Sequence, residues 1–261
     1  KELLDYIKSL TKEKLILNSK EVLNPYEIDI YIPSLNLAFE FNGIYWHTEK
    51  HGRGKNYHYN KWKKCKDKGI NLITIWEDEW DNRQYAIKSM IKSLLSHHQE
   101  IEGLHIDEVS KNDIVKFANI YSIQNLYEGL CNISNEEKYY LLYDKTECVI
   151  SSFTLKVNSD YIDIKNYTTT NHGEYCFFKM IEYVENIAQD KHIPKIYITI
   201  ENERNGSFLE NYKDVEIEEI EPGFTYLTRK IRSADPPSNI SDHDNIIWDC
   251  GQTKYIISLK F

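Results

Sequence analysis

The sequence predicts a mixed α/β protein of two domains, and three observations carry that reading. Over residues 1–100 the apolar periodicity runs helix, strand, strand, helix, strand, helix. From His105 onward a second run follows, in which a helix precedes three strands, a long helix and further strands. The charge divides at the same place: residues 1–100 hold 16 Lys+Arg against 14 Asp+Glu, a net of +2, and the remainder holds 16 against 27, a net of −11. Domains over 1–100 and 101–261 follow from these patterns.

The elements of the first domain are legible one by one. A helix near Glu2 to Leu10 opens it. Ile28, Ile30 and Ile32 alternate with Glu27, Asp29 and Tyr31, so a strand puts the isoleucines on one face and both acids on the other. Pro33-Ser34-Leu35-Asn36 reads as a turn, and Leu37 to Phe41 as a second, more buried strand that carries Glu40. A helix from about Tyr57 to Lys68 ends at Gly69, with His58, Lys61 and Cys65 on one stripe. Leu72, Ile73, Ile75 and Trp76 form a buried strand, and Glu77-Asp78-Glu79 then opens a long helix to about Ser96. Acids in a first turn favour the macrodipole, so Glu77 and Asp78 read mainly as N-terminal caps.

A hairpin brings Asp29 and Glu40 towards each other. Two carboxylates at close range force one of them to take up a proton unless a cation lies between them, and hard oxygen ligands suit magnesium or manganese better than zinc. Such an ion would stabilise charge on a reacting phosphodiester and generate hydroxide, while His47 could move a proton at neutral pH. Glu27 stands two residues before Asp29; it is a further ligand or a charge at the exposed start of the strand.

The runs EIDIYIP, AFEFNGIYWHTE and IWEDEW resemble the PD-(D/E)XK nuclease superfamily in its very-short-patch-repair branch, and most of all the phage homing endonucleases of the EDxHD type. The resemblance implies a nuclease core, a magnesium- or manganese-dependent endodeoxyribonuclease and double-stranded DNA as partner. It implies that Asp29 and Glu40 hold the metal and that His47 is catalytic. Asn42 stands where the superfamily usually has lysine, a departure that shifts weight to His47 and to the basic helix behind it. Asn42, His58 and Lys61 would orient water and phosphate. Cutting both strands usually takes two active sites, which would suit a homodimer.

Between Lys50 and Lys68 eight Lys and Arg face a single Asp67. Beside a carboxylate pair this run reads as phosphate-binding, with Lys50, Arg53, Lys55, Lys63 and Lys64 as backbone contacts. Arg229, Lys230 and Arg232 add a second basic patch before Pro236-Pro237. Trp248, in the last hairpin, reads as core.

The second domain resembles the GNAT acetyltransferase fold in its order of elements: a helix around Asn112 to Ala118, strands near Tyr139–Tyr143, Cys148–Val157 and Tyr161–Thr168, a helix from Glu174 to about Gln189, strand Lys195–Ile200, then Ser207–Tyr212 and strands to Thr228. An acyl-CoA site of that family needs a glycine-rich turn at a helix start. Thr170-Asn171-His172-Gly173-Glu174-Tyr175 offers one glycine and an added acid, so an acetyltransferase stands only as an alternative to the endonuclease, next to a non-catalytic DNA-binding or inhibitory protein.

Composition narrows the rest. At 41% hydrophobic and 28% charged residues the chain has ordinary globular usage, and no run approaches transmembrane length. Cys65, Cys131, Cys148, Cys176 and Cys250 lack CxxC spacing, which argues against a structural zinc site or a disulfide framework and for a reducing cytoplasm, that of a bacterial host if phage-encoded. The acidic run Glu216 to Glu221 argues against a broad phosphate-binding surface in the second domain.

Overall fold

The computed structural model describes the chain except for residues 97–100, 124–136, 173, 203, 205–208, 211, 229, 236–244 and 261. It is a mixed α/β protein of two compact units, one made of residues 1–82, 200–207 and 219–253, the other of 83–199, 208–218 and 254–261. Among the described residues no helix is long and apolar enough to cross a membrane.

In the first unit, helix α1 (Glu2–Leu10) precedes strands β1 (Ile16–Ser19), β2 (Ile28–Ile32) and β3 (Leu37–Asn42). Pro33–Leu35 make one 3-10 turn between β2 and β3, and Asn36 closes it in the left-handed region at φ 47°, where asparagine is tolerated. Helix α2 (Tyr57–Asp67) then crosses over to β4 (Asn71–Trp76), which lies parallel to β3 with Glu40 beside Thr74. The sheet order is β1-β2-β3-β4.

The register sets the face on which each side chain emerges. Ile30 pairs with Phe39 and Tyr31 with Ala38, so one step further along Asp29 lies opposite Glu40. Leu23, Ile28, Ala38, Leu72 and Ile70 pack with Cys65 of α2. Two residues along β3 advance about 6.6 Å and three or four along a helix advance about 5 Å, so Ala38, Glu40 and Asn42 keep pace with Cys65, Lys61 and His58. The stripe His58, Lys61, Cys65 is the buried face of α2.

Helix α3 (Glu77–Leu95) follows β4 directly and loses helical geometry at Arg83 (φ −129°, ψ 27°). The second unit continues with β5 (His105–Val109), α4 (Lys111–Tyr121), β6 (Glu137–Tyr143), β7 (Val149–Val157), β8 (Ile162–Thr169), α5 (Glu174–Asp190), β9 (Lys195–Glu201) and β10 (Val215–Ile220). Three short strands, β11 (Phe224–Thr228), β12 (Ile231–Ser233) and β13 (Ile246–Trp248), form a separate sheet in the order β12-β11-β13, before β14 (Gln252–Ser258).

The seven-stranded sheet runs β10-β14-β9-β8-β7-β6-β5. Strands β5 to β8 are antiparallel neighbours, whereas β8 and β9 are parallel and joined through α5. Helix α5 buries Cys176, Phe177, Met180, Ile181, Val184 and Ala188 at helical spacing. Phe153 lies stacked on Tyr140 in the same core. This strand order, with β8 and β9 parallel, makes the sheet GNAT-like.

Candidate functional site

Six polar side chains of the first unit converge where β2, β3 and α2 meet. Glu40 and Asn42 are buried on β3, Lys61 and His58 are buried on α2, and Asp29 and His47 are half-buried beside them. The Lys61 ammonium donates to Glu40 Oε1. Asp29 Oδ2 accepts the Phe41 N–H at 2.8 Å, which ties the first acid to the strand that carries the second. Burial pushes the Glu40 carboxyl up to about 7, against the opposing pull of Lys61, and raises Asp29 as well. Glu27 is close enough to add repulsion to Asp29.

A second chain of contacts starts at Asn42. Its Nδ2 is 3.5 Å from His58 Nδ1, and His58 Nε2 is 3.3 Å from His47 Nδ1. Asn42 donates if its amide nitrogen faces His58; the His58 proton then sits on Nε2 and passes the bond to His47, leaving the His47 proton on its outer Nε2. The rings stack at 5.1 Å, and Trp76 packs on both. Burial, with Arg53 and Lys61 nearby, lowers His47 to about 4; burial and the His47, Lys61, Arg53 and Arg232 charges hold His58 well below its usual value. Both imidazoles are therefore neutral at pH 7. Among the described residues Glu40 Oε2 and Asn42 Oδ1 are buried with no hydrogen-bond partner.

The site has a supporting layer that the sequence did not announce. Arg232 lies 4.5 Å over the Trp76 ring, donates to Asp78 Oδ1 at 3.1 Å and reaches Glu79 Oε1 at 2.7 Å. Arg204 donates to the same Glu79 oxygen and to the Thr74 carbonyl. Burial alone would raise Glu79, but Arg204 and Arg232 outweigh it and hold the carboxylate below its ordinary value. Glu77 accepts the Ile44 N–H at 3.1 Å, and Glu79 accepts the Trp76 N–H at 3.1 Å. The only trace of this layer in the sequence is the density of acids in Glu77-Asp78-Glu79.

The basic residues separate into several surroundings. Lys50 and Lys230 are exposed, and Arg229 lies outside the described residues. Arg53 stacks on Tyr57 at 4.1 Å, Lys64 donates to the Asn24 carbonyl, and Lys55 and Lys63 pair with Glu221 and Glu219. Arg232, expected at a DNA surface, is instead half-buried in ion pairs, because Asp78 and Glu79 supply the anions nearest to it. Trp248 is half-buried rather than core and donates from Nε1 to Glu49 at 3.3 Å.

The second unit holds a different kind of opening. Strand β8 pairs with β7 from Ile162 to Thr169, but with β9 only from Ile162 to Ile164. The register with β7 shifts between Ser152 and Thr154, and Asn166 opposite that shift is left-handed at φ 53°, a β-bulge. Beyond Ile164 the β9 side of β8 has no strand pairing among the described residues. In the turn that follows, the Thr170, Asn171 and His172 N–H groups donate to the Ile150 carbonyl, Thr169 Oγ1 and Ser93 Oγ, ahead of the start of α5.

No family model matches the chain, and no curated protein matches it. Solved structures do. A GNAT family acetyltransferase from Elizabethkingia anophelis with acetyl-CoA bound is 14% identical, covering 60% of this chain and 98% of its own at a TM-score of 0.40. An N-acetyltransferase from Staphylococcus aureus is 15% identical, covering 59% and 97% at 0.40, and an acetyltransferase from Streptococcus agalactiae is 16% identical, covering 60% and 99% at 0.36. At such identities the likeness concerns the fold.

These findings correct the expectation drawn from the first domain. The structures that resemble the chain are GNAT acetyltransferases, so the PD-(D/E)XK resemblance, its nuclease core and the endonuclease activity are withdrawn. The magnesium or manganese ion goes with them. Glu40 already has a cation in Lys61, which helix α2 delivers to its carboxylate, and among the described residues no group of three or more His, Cys, Asp or Glu is gathered to hold a metal.

Proposed function

We propose that the second unit binds an acyl-CoA along the free edge of β8 and that the protein is an acyl-CoA-dependent acetyltransferase. One observation carries the reading: a parallel strand pair that parts at its carboxyl ends, where ligands of open α/β sheets bind. The backbone of β8 beyond Ile164 offers N–H and C=O groups to a ligand arm that contains amides, in the manner of an added strand. A helix start such as that of α5 suits a pyrophosphate. Glu174 in its first turn opposes an anion, which sets a limit on affinity. In acetyl transfer an amine attacks the thioester carbonyl, the carbon–sulfur bond breaks and the thiol leaves with a proton. The chain's part is to hold the thioester against β8, with a backbone N–H beyond the bulge placed to donate to the carbonyl oxygen. Titration calorimetry with acetyl-CoA tests this; a saturable heat with one site per chain is expected, and its absence removes the reading.

A second reading concerns the first unit, where Lys50, Lys55, Lys63 and Lys64 follow one another on α2 and the loop before it. This succession supports non-catalytic binding of double-stranded DNA through its phosphates. Fluorescence anisotropy of a labelled 20-bp duplex across a salt series is the measurement, with affinity expected to fall as salt rises.

A further inference from the structure

The basic face of α2 already holds anions, and they belong to the chain itself. Lys55, Tyr59 and Lys63 stand at i, i+4 and i+8, one stripe along the outside of the helix and the turn leading into it. Lys55 donates to Glu221 Oε2, the Tyr59 hydroxyl donates to Glu219 Oε2 at 2.6 Å, and Lys63 reaches Glu219 Oε1 at 3.2 Å. Glu219 is the second-last residue of β10 and Glu221 follows directly after the strand, so both carboxylates meet this stripe within three residues of chain. Three donors, two on α2 and one in the turn before it, thus hold two neighbouring carboxylates. Glu219 is held below its usual range by the Tyr59 hydrogen bond and Lys63, and Tyr59 is pushed up to about 12 by the same bond.

These pairs are open to exchange. The Lys55 and Glu221 side chains are 43% and 82% exposed, and those of Lys63 and Glu219 40% and 38%. Exposed ion pairs cost little to break, and a polyanion of higher charge density competes for the same ammonium groups.

We propose that Glu219 and Glu221 mask a polyanion-binding face made of Lys55, Tyr59 and Lys63, and that the phosphate backbone of duplex DNA displaces them. The inference rests on the duplex reading and adds to it a built-in competitor. Masking lowers affinity at rest and removes two phosphate contacts from the weakly bound state.

The test compares the wild type with Glu219→Gln/Glu221→Gln and with Glu216→Gln/Glu218→Gln, which removes the same charge from the neighbouring residues of the same segment, none of them paired with Lys55, Tyr59 or Lys63 among the described contacts. Binding of a labelled 20-bp duplex is measured by anisotropy from low to moderate salt, with melting temperatures confirming that the variants fold. The first variant is expected to bind roughly tenfold more tightly, with a salt slope steeper by about 1 to 2, while the second gains far less. An equal gain in both variants makes bulk charge the cause and overturns masking. Duplex binding that weakens with Lys63→Gln yet does not strengthen with Glu219→Gln/Glu221→Gln keeps the duplex reading and overturns masking. Absence of duplex binding in every variant overturns both.

Discussion

The two candidate sites differ in what they are made of. In the first unit the chemistry is in side chains: Glu40, Lys61, Asn42 and His58 are buried on rigid elements, and desolvation raises Glu40 and lowers His58. In the second it is in backbone: β8 parts from β9 after Ile164, and the proposed site is made of its remaining N–H and C=O groups. A side-chain site is sensitive to charge and volume, whereas a backbone site is sensitive to φ/ψ and pairing. Substitutions can therefore tell the two apart.

The largest effect belongs to the buried ion pair. Lys61→Ala leaves Glu40 without its cation and is expected to cost the first unit about 3–5 kcal/mol in urea denaturation. Adding Glu40→Gln should restore much of that loss. If Lys61→Ala is as stable as the wild type, the pair is not a buried charge pair in solution.

Next comes the pH dependence, in which two groups oppose each other. Glu40 is raised from 4.5 to about 7, so its contribution is full below 4.5 and is lost as pH rises to 7. His47 is lowered from 6.5 to about 4, so its contribution is full above 6.5 and is lost as pH falls to 4. Between pH 4.5 and 6.5 the slopes partly cancel. Glu40→Gln should unmask a loss of roughly 2 kcal/mol as pH drops from 6.5 to 4, and His47→Gln a loss of similar size as pH rises from 4.5 to 7. Parallel stability–pH curves for the two variants would contradict the assignment.

The second unit should respond to backbone changes instead. Asn166→Val puts a β-branched residue at φ 53° and is expected to cost about 1–2 kcal/mol and to weaken acetyl-CoA binding, while Asn166→Gly keeps both close to wild type. Thermal melts and calorimetry on the pair check it. The smallest change is Glu174→Gln, which removes an anion from the first turn of α5; acetyl-CoA should bind roughly 2- to 5-fold more tightly. An unchanged affinity would place the ligand away from that helix start.

Much of the local structure was legible. The Ile28-Ile30-Ile32 alternation marks β2, and the stripe His58, Lys61, Cys65 marks the inner face of α2, because a buried face imposes its period on the sequence. Strand β1 was not read: Ile16-Leu17-Asn18-Ser19 is a short edge strand whose two central residues are exposed, and Asn18 has a positive φ, so no alternation was available. The partners of Glu79 were out of reach as well. Arg204 and Arg232 lie more than a hundred residues away along the chain, and nothing in either segment names the acid it meets.

Function was read less well than fold. The motif around Asp29, Glu40 and His47 suggested a metal nuclease, because two acids on paired strands call for a counter-charge. Sequence cannot say where that charge comes from; the packing of α2 on β3 supplies it from Lys61.

By itself the sequence determined the mixed α/β class, the inner face of each amphipathic element and the acid–lysine–histidine composition of the first unit, since these follow from periods of 2 and 3.6 residues. Only the tertiary structure decided which charges pair, which histidines lie neutral and where β8 leaves β9. Those outcomes depend on desolvation and on contacts between distant segments, and neither is encoded in any single stretch of chain.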